Sequence, residues 1–261
     1  MNAMDEKWDG KAYSSIQKHY QFMYGQKLIE KSLSYLRSYP KSVVDLGCGE
    51  GALTSFLFSA LGQQPLFVGV DKDESMIMQA KKQYPDITFE QSNIMDWLLG
   101  INQSYDYIFS NAVLHWFKTY DNLAQFFRSV KNKLSDNGIA AFHFSLSSNA
   151  SIAKDFLYSN LAAYLKREIA ESSRCEYEFD KVKELIGKHF DICFEKQIQF
   201  FPFENNHINN FHWMVQSQPI MHLLDRDYND FCSYLYKIWM DNPVNVYAHQ
   251  CEFIITRKRG E

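Results

Sequence analysis

A chain of 261 residues with 46% apolar and 22% charged content can bury a sizeable core and is not disordered. Its formal net charge of −4 provides no basic face for nucleic acid, and its one cationic run, Arg257-Lys258-Arg259, reads as a solvated chain end. Five scattered cysteines without a C-x-x-C pair exclude a zinc knuckle or a redox couple and suit a reducing compartment, with no metal site expected.

The chain opens without an apolar h-region, and no stretch approaches the ~18 residues of a membrane span, so a cytoplasmic protein with no membrane partner is expected. Residues 8–38 place Tyr20, Met23, Tyr24, Leu28, Ile29, Leu33 and Leu36 at helical spacing, predicting two helices or one broken near Gly25. Pro40 stops the pattern. Ser42 to Leu46 reads as a short buried strand running into glycines. A helix then runs from beyond Gly51 to Gly62, followed by a strand from Leu66 to Val70 that ends on Asp71. Ser75 to Tyr84 is helical, Ile87 to Phe89 is a third strand, and Tyr107 to Ser110 is a fourth. A helix over 120–134 precedes the turn Ser135-Asp136-Asn137-Gly138 and a fifth strand, Ile139 to Phe144.

Beyond residue 148 the rhythm changes. Helical patterns over 151–171, 180–189, 207–223 and 228–240 surround one strand, Ile192 to Phe203, and a last strand spans Cys251 to Thr256. Alternating strands and helices predict an α/β fold: a Rossmann-like, doubly wound, mostly parallel seven-stranded sheet. The expected organisation is a single domain over 1–261. A helical cap (8–38) precedes an α/β core (42–145), and a helical C-terminal insertion with the last strands covers 149–245.

The strongest local signal is Asp45-Leu46-Gly47-Cys48-Gly49-Glu50-Gly51. Glycines at a strand-to-helix turn let a ligand approach the backbone, and G-x-G alone fits a nicotinamide or flavin site equally well. Asp45 shifts the balance, because a carboxylate there attracts a cationic ligand and repels a pyrophosphate. Asp71 ends the second strand, where it can accept from both hydroxyls of a ribose. A nicotinamide reductase would need a proton donor such as Tyr-x-x-x-Lys near the fourth strand, but Ala124 stands four residues after Tyr120. A non-catalytic cofactor-binding protein remains a third class, although the glycine loop shows no degradation.

Past the fourth strand comes Ser110-Asn111-Ala112-Val113-Leu114-His115-Trp116. Together with Trp8, Tyr13, Gln21 and Gln26 to Ile29, this run resembles the class I S-adenosylmethionine-dependent methyltransferases, in the group of the trans-aconitate, malonyl-acyl-carrier-protein and juvenile hormone acid methyltransferases. The resemblance covers about residues 8–145, and it implies that 42–145 is the cofactor-binding core and 149–245 the substrate-pocket lid and last strands. It implies S-adenosylmethionine as cofactor, with Asp45, Gly47 and Gly49 at its methionine end and Asp71, followed by Lys72, at its ribose. Asn93 and Ile94 would flank the adenine, Asn93 standing where this class commonly carries Asp. Ser110 and Asn111 would line the floor beneath the sulfonium. Tyr13, Gln21, His115 and Trp116 would face the substrate, with His115 the candidate catalytic base. The expected reaction is O-methylation of a carboxylic or carrier-bound acid, and the alternative is N- or O-methylation of another small metabolite. The oligomeric state is left open.

Overall fold

The structure, a computed structural model, describes residues 10–62, 65–117, 119–148, 150–166, 176–200, 211, 228–241 and 248–257. Seven strands form one sheet: β1 Ser42–Leu46, β2 Leu66–Asp71, β3 Thr88–Gln91, β4 Tyr105–Asn111, β5 Leu134–Ser148, β6 Phe190–Phe200 and β7 Ala248–Arg257. Their order is β3-β2-β1-β4-β5-β7-β6. Parallel pairing joins β1 to β2 and β4, β2 to β3, and β4 to β5. The doubly wound seven-stranded sheet expected from the sequence is present.

Eight α-helices fall among the described residues: α1 Gly10–Leu33, α2 Ala52–Ala60, α3 Glu74–Gln83, α4 Ile94–Gly100, α5 Tyr120–Lys133, α6 Ala150–Leu165, α7 Phe179–Gly187 and α8 Tyr228–Asp241. Adjacent residues of a strand point to opposite faces, and the inner strands β1, β2, β4, β5 and β7 are apolar on both. Val43, Phe67, Tyr107, Phe109, Ile139 and Ile254 pack on one side with residues of α1, α2 and α3. Val44, Val68, Ile108, Phe142, Phe144 and Phe253 pack on the other with α4, α5 and α7. None of these strands could therefore lie at a solvated sheet face.

Three differences from the sequence reading have local causes. α1 runs unbroken through Gly25, whose missing side chain serves packing: a Cβ there would lie 2.3 Å from Leu53 Cδ1 and 3.1 Å from Asn111 Cγ. α4 was not anticipated, since it is only seven residues long and too short for periodicity to register. The turn expected at 135–138 exists as an irregularity within β5. Tyr105 pairs with Leu134 and Tyr107 with Ile139, so four residues bulge opposite Asp106, held by the Ser135 hydroxyl donating to Asp106 Oδ1 at 2.7 Å.

The chain divides into two compact units. The larger, residues 20–146, 174–198 and 250–261, contains most of the sheet. The smaller contains α6 and α8, whose Leu157, Leu161, Phe231, Leu235 and Trp239 enclose their own core with Phe211. The helix expected at 207–223 apart from Phe211, the ends of the helix expected at 151–171 and of the strand expected over 192–203, and Trp8 lie outside the described residues. No helix among the described residues is long and apolar enough to cross a membrane.

Candidate active site

β1 and β4 lie side by side at the centre of the sheet, where successive strands begin to add on the opposite side. Loops diverge from the C-terminal ends of strands at such a reversal and leave a crevice. The glycine loop fills one wall of it. Gly47 and Gly49 have φ of +82° and +54°, values that cost an L-residue roughly 1–2 kcal/mol each. A Cβ on Gly47 would meet Val113 Cγ2 at 2.1 Å, whereas one on Gly49 would meet nothing within 4 Å. Gly47 is thus pressed against the segment that follows β4, and Gly49 faces open space. The Gly47 and Cys48 N–H groups both donate to Val70 O, at 2.7 and 3.0 Å, which fixes the loop to β2. Beneath it, the Phe89 ring occupies the space a side chain at Gly51 or Gly69 would need, at 2.8 and 2.6 Å from the respective Cβ positions.

Two carboxylates flank this loop. Asp71 accepts from Gly49 N–H through Oδ2 and from Asp73 N–H through Oδ1, both at 2.9 Å. A carboxylate offers about four lone-pair positions, so each oxygen retains capacity for a further donor. Asp45 is 2% exposed and accepts from Thr54 Oγ1 at 2.6 Å. Burial pushes its carboxyl up to about 7; the Thr54 hydrogen bond opposes the rise and the Asp71 charge adds to it.

β4 ends in a tight polar cluster. The buried Ser110 hydroxyl donates to Leu46 O at 2.7 Å, clamping the ends of β4 and β1 together. Asn111 Nδ2 donates to Gln21 O at 3.2 Å, and Asn111 Oδ1 lies 2.8 Å from His143 Nδ1. The chain then kinks at Ala112, a non-glycine residue with φ +58°, whose N–H donates to His143 O at 2.8 Å. The kink leads into a single 3₁₀ turn, Leu114–Trp116. Leu114 anchors this turn in the core, His115 is half-buried, and Trp116 is 55% exposed with its ring 5.3 Å from that of His115.

Asp45, Gly47, Gly49, Asp71, Ser110 and Asn111 therefore converge at the C-terminal edge of three adjacent strands, with Gln21 brought onto Asn111 by α1. Lys72 follows directly, exposed, with its carbonyl accepting from Gln91 Nε2 at 3.4 Å. Asn93 caps α4, its Oδ1 accepting from Met95 N–H at 2.8 Å, and Ile94 is the first residue of that helix. Tyr13 lies in the first turn of α1, and its side chain is outside the described set. Sequence reasoning missed Thr54, Tyr24, His143 and Gln250. A histidine inside the apolar run Ala140-Ala141-Phe142-His143-Phe144 was the available signal for one of them.

The donor set suits S-adenosylmethionine. Open space lies over Gly49, Asp71 can accept two hydroxyls, and Asp45 is a carboxyl held protonated by burial that a sulfonium or ammonium would ionise and a pyrophosphate would not. Comparison with known proteins agrees. A family described as "Methyltransferase domain" matches residues 39–196, well over half of the chain and spanning every strand-end residue above. The chain is 35% identical over 102 residues to a trans-aconitate 2-methyltransferase of Acidovorax sp. (strain JS42). That match covers 39% of this chain and 37% of the relative's length, so little more than a third of that protein is represented. A putative methyltransferase 235L of Invertebrate iridescent virus 6 is 38% identical over 76 residues, 29% of this chain and 28% of its own. Among solved structures, the magnesium protoporphyrin IX methyltransferase from Synechocystis PCC 6803 with bound SAH superposes with a TM-score of 0.59. It shares 11% identity over 97% of this chain and 90% of its own, a likeness of fold. The chain belongs to the methyltransferase domain family of S-adenosylmethionine-dependent enzymes.

Proposed function

We propose that this chain methylates a carboxylate oxygen of a small acid. The observation that carries the reading is the 35% likeness to a trans-aconitate 2-methyltransferase, together with the position of the His115–Trp116 turn beside the glycine loop. In this reading Asp45, Gly47 and Gly49 hold the methionine end of the cofactor, and Asp71 and Lys72 lie at the ribose. Asn93 and Ile94 flank the adenine. With its oxygen committed to the cap of α4, Asn93 offers its amide nitrogen, a donor where an aspartate would offer an acceptor. Ser110 shapes the floor indirectly by holding β4 to β1, and Asn111 lies directly on the crevice.

S-adenosylmethionine supplies an activated methyl group and a good leaving group. What remains for the protein is to orient the acceptor and exclude water. A carboxylic acid with a pKa of about 4 is already ionised near pH 7, so no general base is required. Gln21, His115 and Trp116 are then orienting groups, with His115 donating a hydrogen bond to the acceptor.

Purified protein given methyl-labelled S-adenosylmethionine and a panel of small di- and tricarboxylic acids, amines and phenols should label the acids as base-labile esters. Labelled amines or phenols with untouched acids would overturn the assignment.

A further inference from the structure

His143 lies on β5, 2% exposed, and makes contact through its backbone, both ring nitrogens and its ring face. Its carbonyl accepts from Ala112 N–H at 2.8 Å, at the residue where the chain is strained. Its Nδ1 is 2.8 Å from Asn111 Oδ1 and its Nε2 is 3.1 Å from Gln250 Oε1 on β7. The Tyr24 ring of α1 stacks on it, with centroids 5.4 Å apart and an interplanar angle of 15°. Asn111 in turn donates to Gln21 O, also on α1.

A neutral imidazole has one N–H and one lone pair, yet two amide oxygens face its two nitrogens. One amide must therefore turn end for end. If Asn111 turned, its oxygen would meet Gln21 O and the tie to α1 would be lost. If Gln250 turned, its NH2 would donate to Nε2 and the Asn111, Gln21 and Ala112 bonds would all survive. Desolvation at this depth favours the neutral ring over the imidazolium, which would satisfy both oxygens without a turn.

We propose that His143 is a positioning residue for the candidate cofactor edge: as the Nδ1–H tautomer it fixes Asn111 and through Asn111 holds α1 in place, while its own backbone carbonyl braces the Ala112 kink. The Nδ1–H donates to Asn111 Oδ1, freeing Nδ2 for Gln21 O. The His143 carbonyl braces the strained peptide that leads to His115 and Trp116. Imidazole orientation, amide orientation and helix docking are thereby one coupled arrangement. This inference rests on the cofactor half of the proposed function and is independent of the methyl acceptor.

Asparagine places an N–H donor near the position of the histidine Nδ1, and glutamine near that of Nε2. His143→Asn should therefore retain the arrangement and His143→Gln should lose it. ¹⁵N NMR of the ring nitrogens in the wild-type protein should report Nδ1–H; an Nε2–H spectrum overturns the proposal outright. In hydrogen exchange, amides 22–30 of α1 should exchange at wild-type rates in His143→Asn and at least tenfold faster in His143→Gln. S-adenosylmethionine titrated calorimetrically should bind His143→Asn within threefold of wild type and His143→Gln at least tenfold more weakly. Equal exchange and equal affinity in the two variants would overturn it. A wild-type protein that does not bind S-adenosylmethionine would defeat the functional reading, while the tautomer and exchange results would still decide the role of His143.

Discussion

Gly49 donates its backbone N–H to Asp71 Oδ2 at 2.9 Å, so the glycine loop after β1 and the carboxylate ending β2 form one rigid wall of the crevice. Asp73 N–H holds the other oxygen at 2.9 Å. The carboxylate is thus oriented before any ligand arrives, and little ordering cost falls on binding. Asp71→Asn leaves a single oxygen to serve two backbone donors and two ribose hydroxyls. Hydrogen bonds to charged groups contribute about 1.5–3 kcal/mol. Affinity for S-adenosylmethionine should fall roughly 10- to 100-fold. Calorimetric titration checks this, and an unchanged affinity would remove Asp71 from the cofactor site.

Asp45 gives the site a proton linkage. Its carboxyl is raised to about 7 in the fold, chiefly by burial, from an ordinary unfolded value near 4. The folded protein therefore binds a proton that the unfolded chain releases above about pH 4. This contribution to stability is full below the unfolded value and is lost as pH rises through about 7. A cationic ligand reverses the preference, since it favours the ionised carboxylate. S-adenosylmethionine binding should release a proton near pH 6, and its affinity should weaken by up to about tenfold for each pH unit below 7. Asp45→Asn should flatten both dependences. Thr54→Val, which deletes the hydrogen bond that opposes the rise, should move the midpoint upward. Titrations in buffers of different ionisation enthalpy measure the proton count directly.

Gly47 and Gly49 should separate in mutagenesis although both have positive φ. Gly47→Ala adds a collision with Val113 to the backbone strain, and stability should fall by well over the roughly 1–2 kcal/mol of strain alone. The double variant Gly47→Ala/Val113→Ala should recover part of that loss. Gly49→Ala carries strain without a collision, so the free protein should lose about 1–2 kcal/mol while cofactor affinity drops disproportionately. Denaturant melts paired with titrations test the contrast.

Trp116 is 55% exposed, and truncating an exposed side chain away from the core changes stability by about 0.5 kcal/mol or less. Trp116→Ala should therefore melt with the wild type yet raise KM for the acid. His115→Gln keeps a hydrogen-bond donor but cannot act as a base, so turnover on a carboxylate should stay within about tenfold of wild type. A loss of about 100-fold or more would show that a base is needed and would move the acceptor to a hydroxyl or amine.

β1, β2 and β4 were legible because they are short apolar runs beside glycine, proline or aspartate, whereas the 15-residue β5 outruns the strand expected at 139–144. The candidate cofactor edge was legible as a cluster: Asp45, Gly47, Gly49 and Asp71 sit at such boundaries, and the sheet brings them together at the ends of β1 and β2. Thr54, Tyr24, His143 and Gln250 were hidden for a different reason. Each lies inside an element, and its role depends on a partner brought close by the fold: Gln250 stands 107 residues from His143. Gly25 shows the same limit from the other side. Local propensity reads it as a helix breaker, whereas its actual constraint is the approach of Leu53 and Asn111. Asn93 was legible by position, and its use as the cap of α4 became visible only with the helix itself.

The Phe89 ring under the loop carries an evolutionary consequence. Since it fills the space above both Gly51 and Gly69, a side chain at either position would force the ring to shift. Drift at this spot should be coupled: a smaller residue at 89 makes room for a larger one at 69, with 51 held back by its positive φ. Sequences descended from a common ancestor should record that coupling as correlated substitution between 69 and 89.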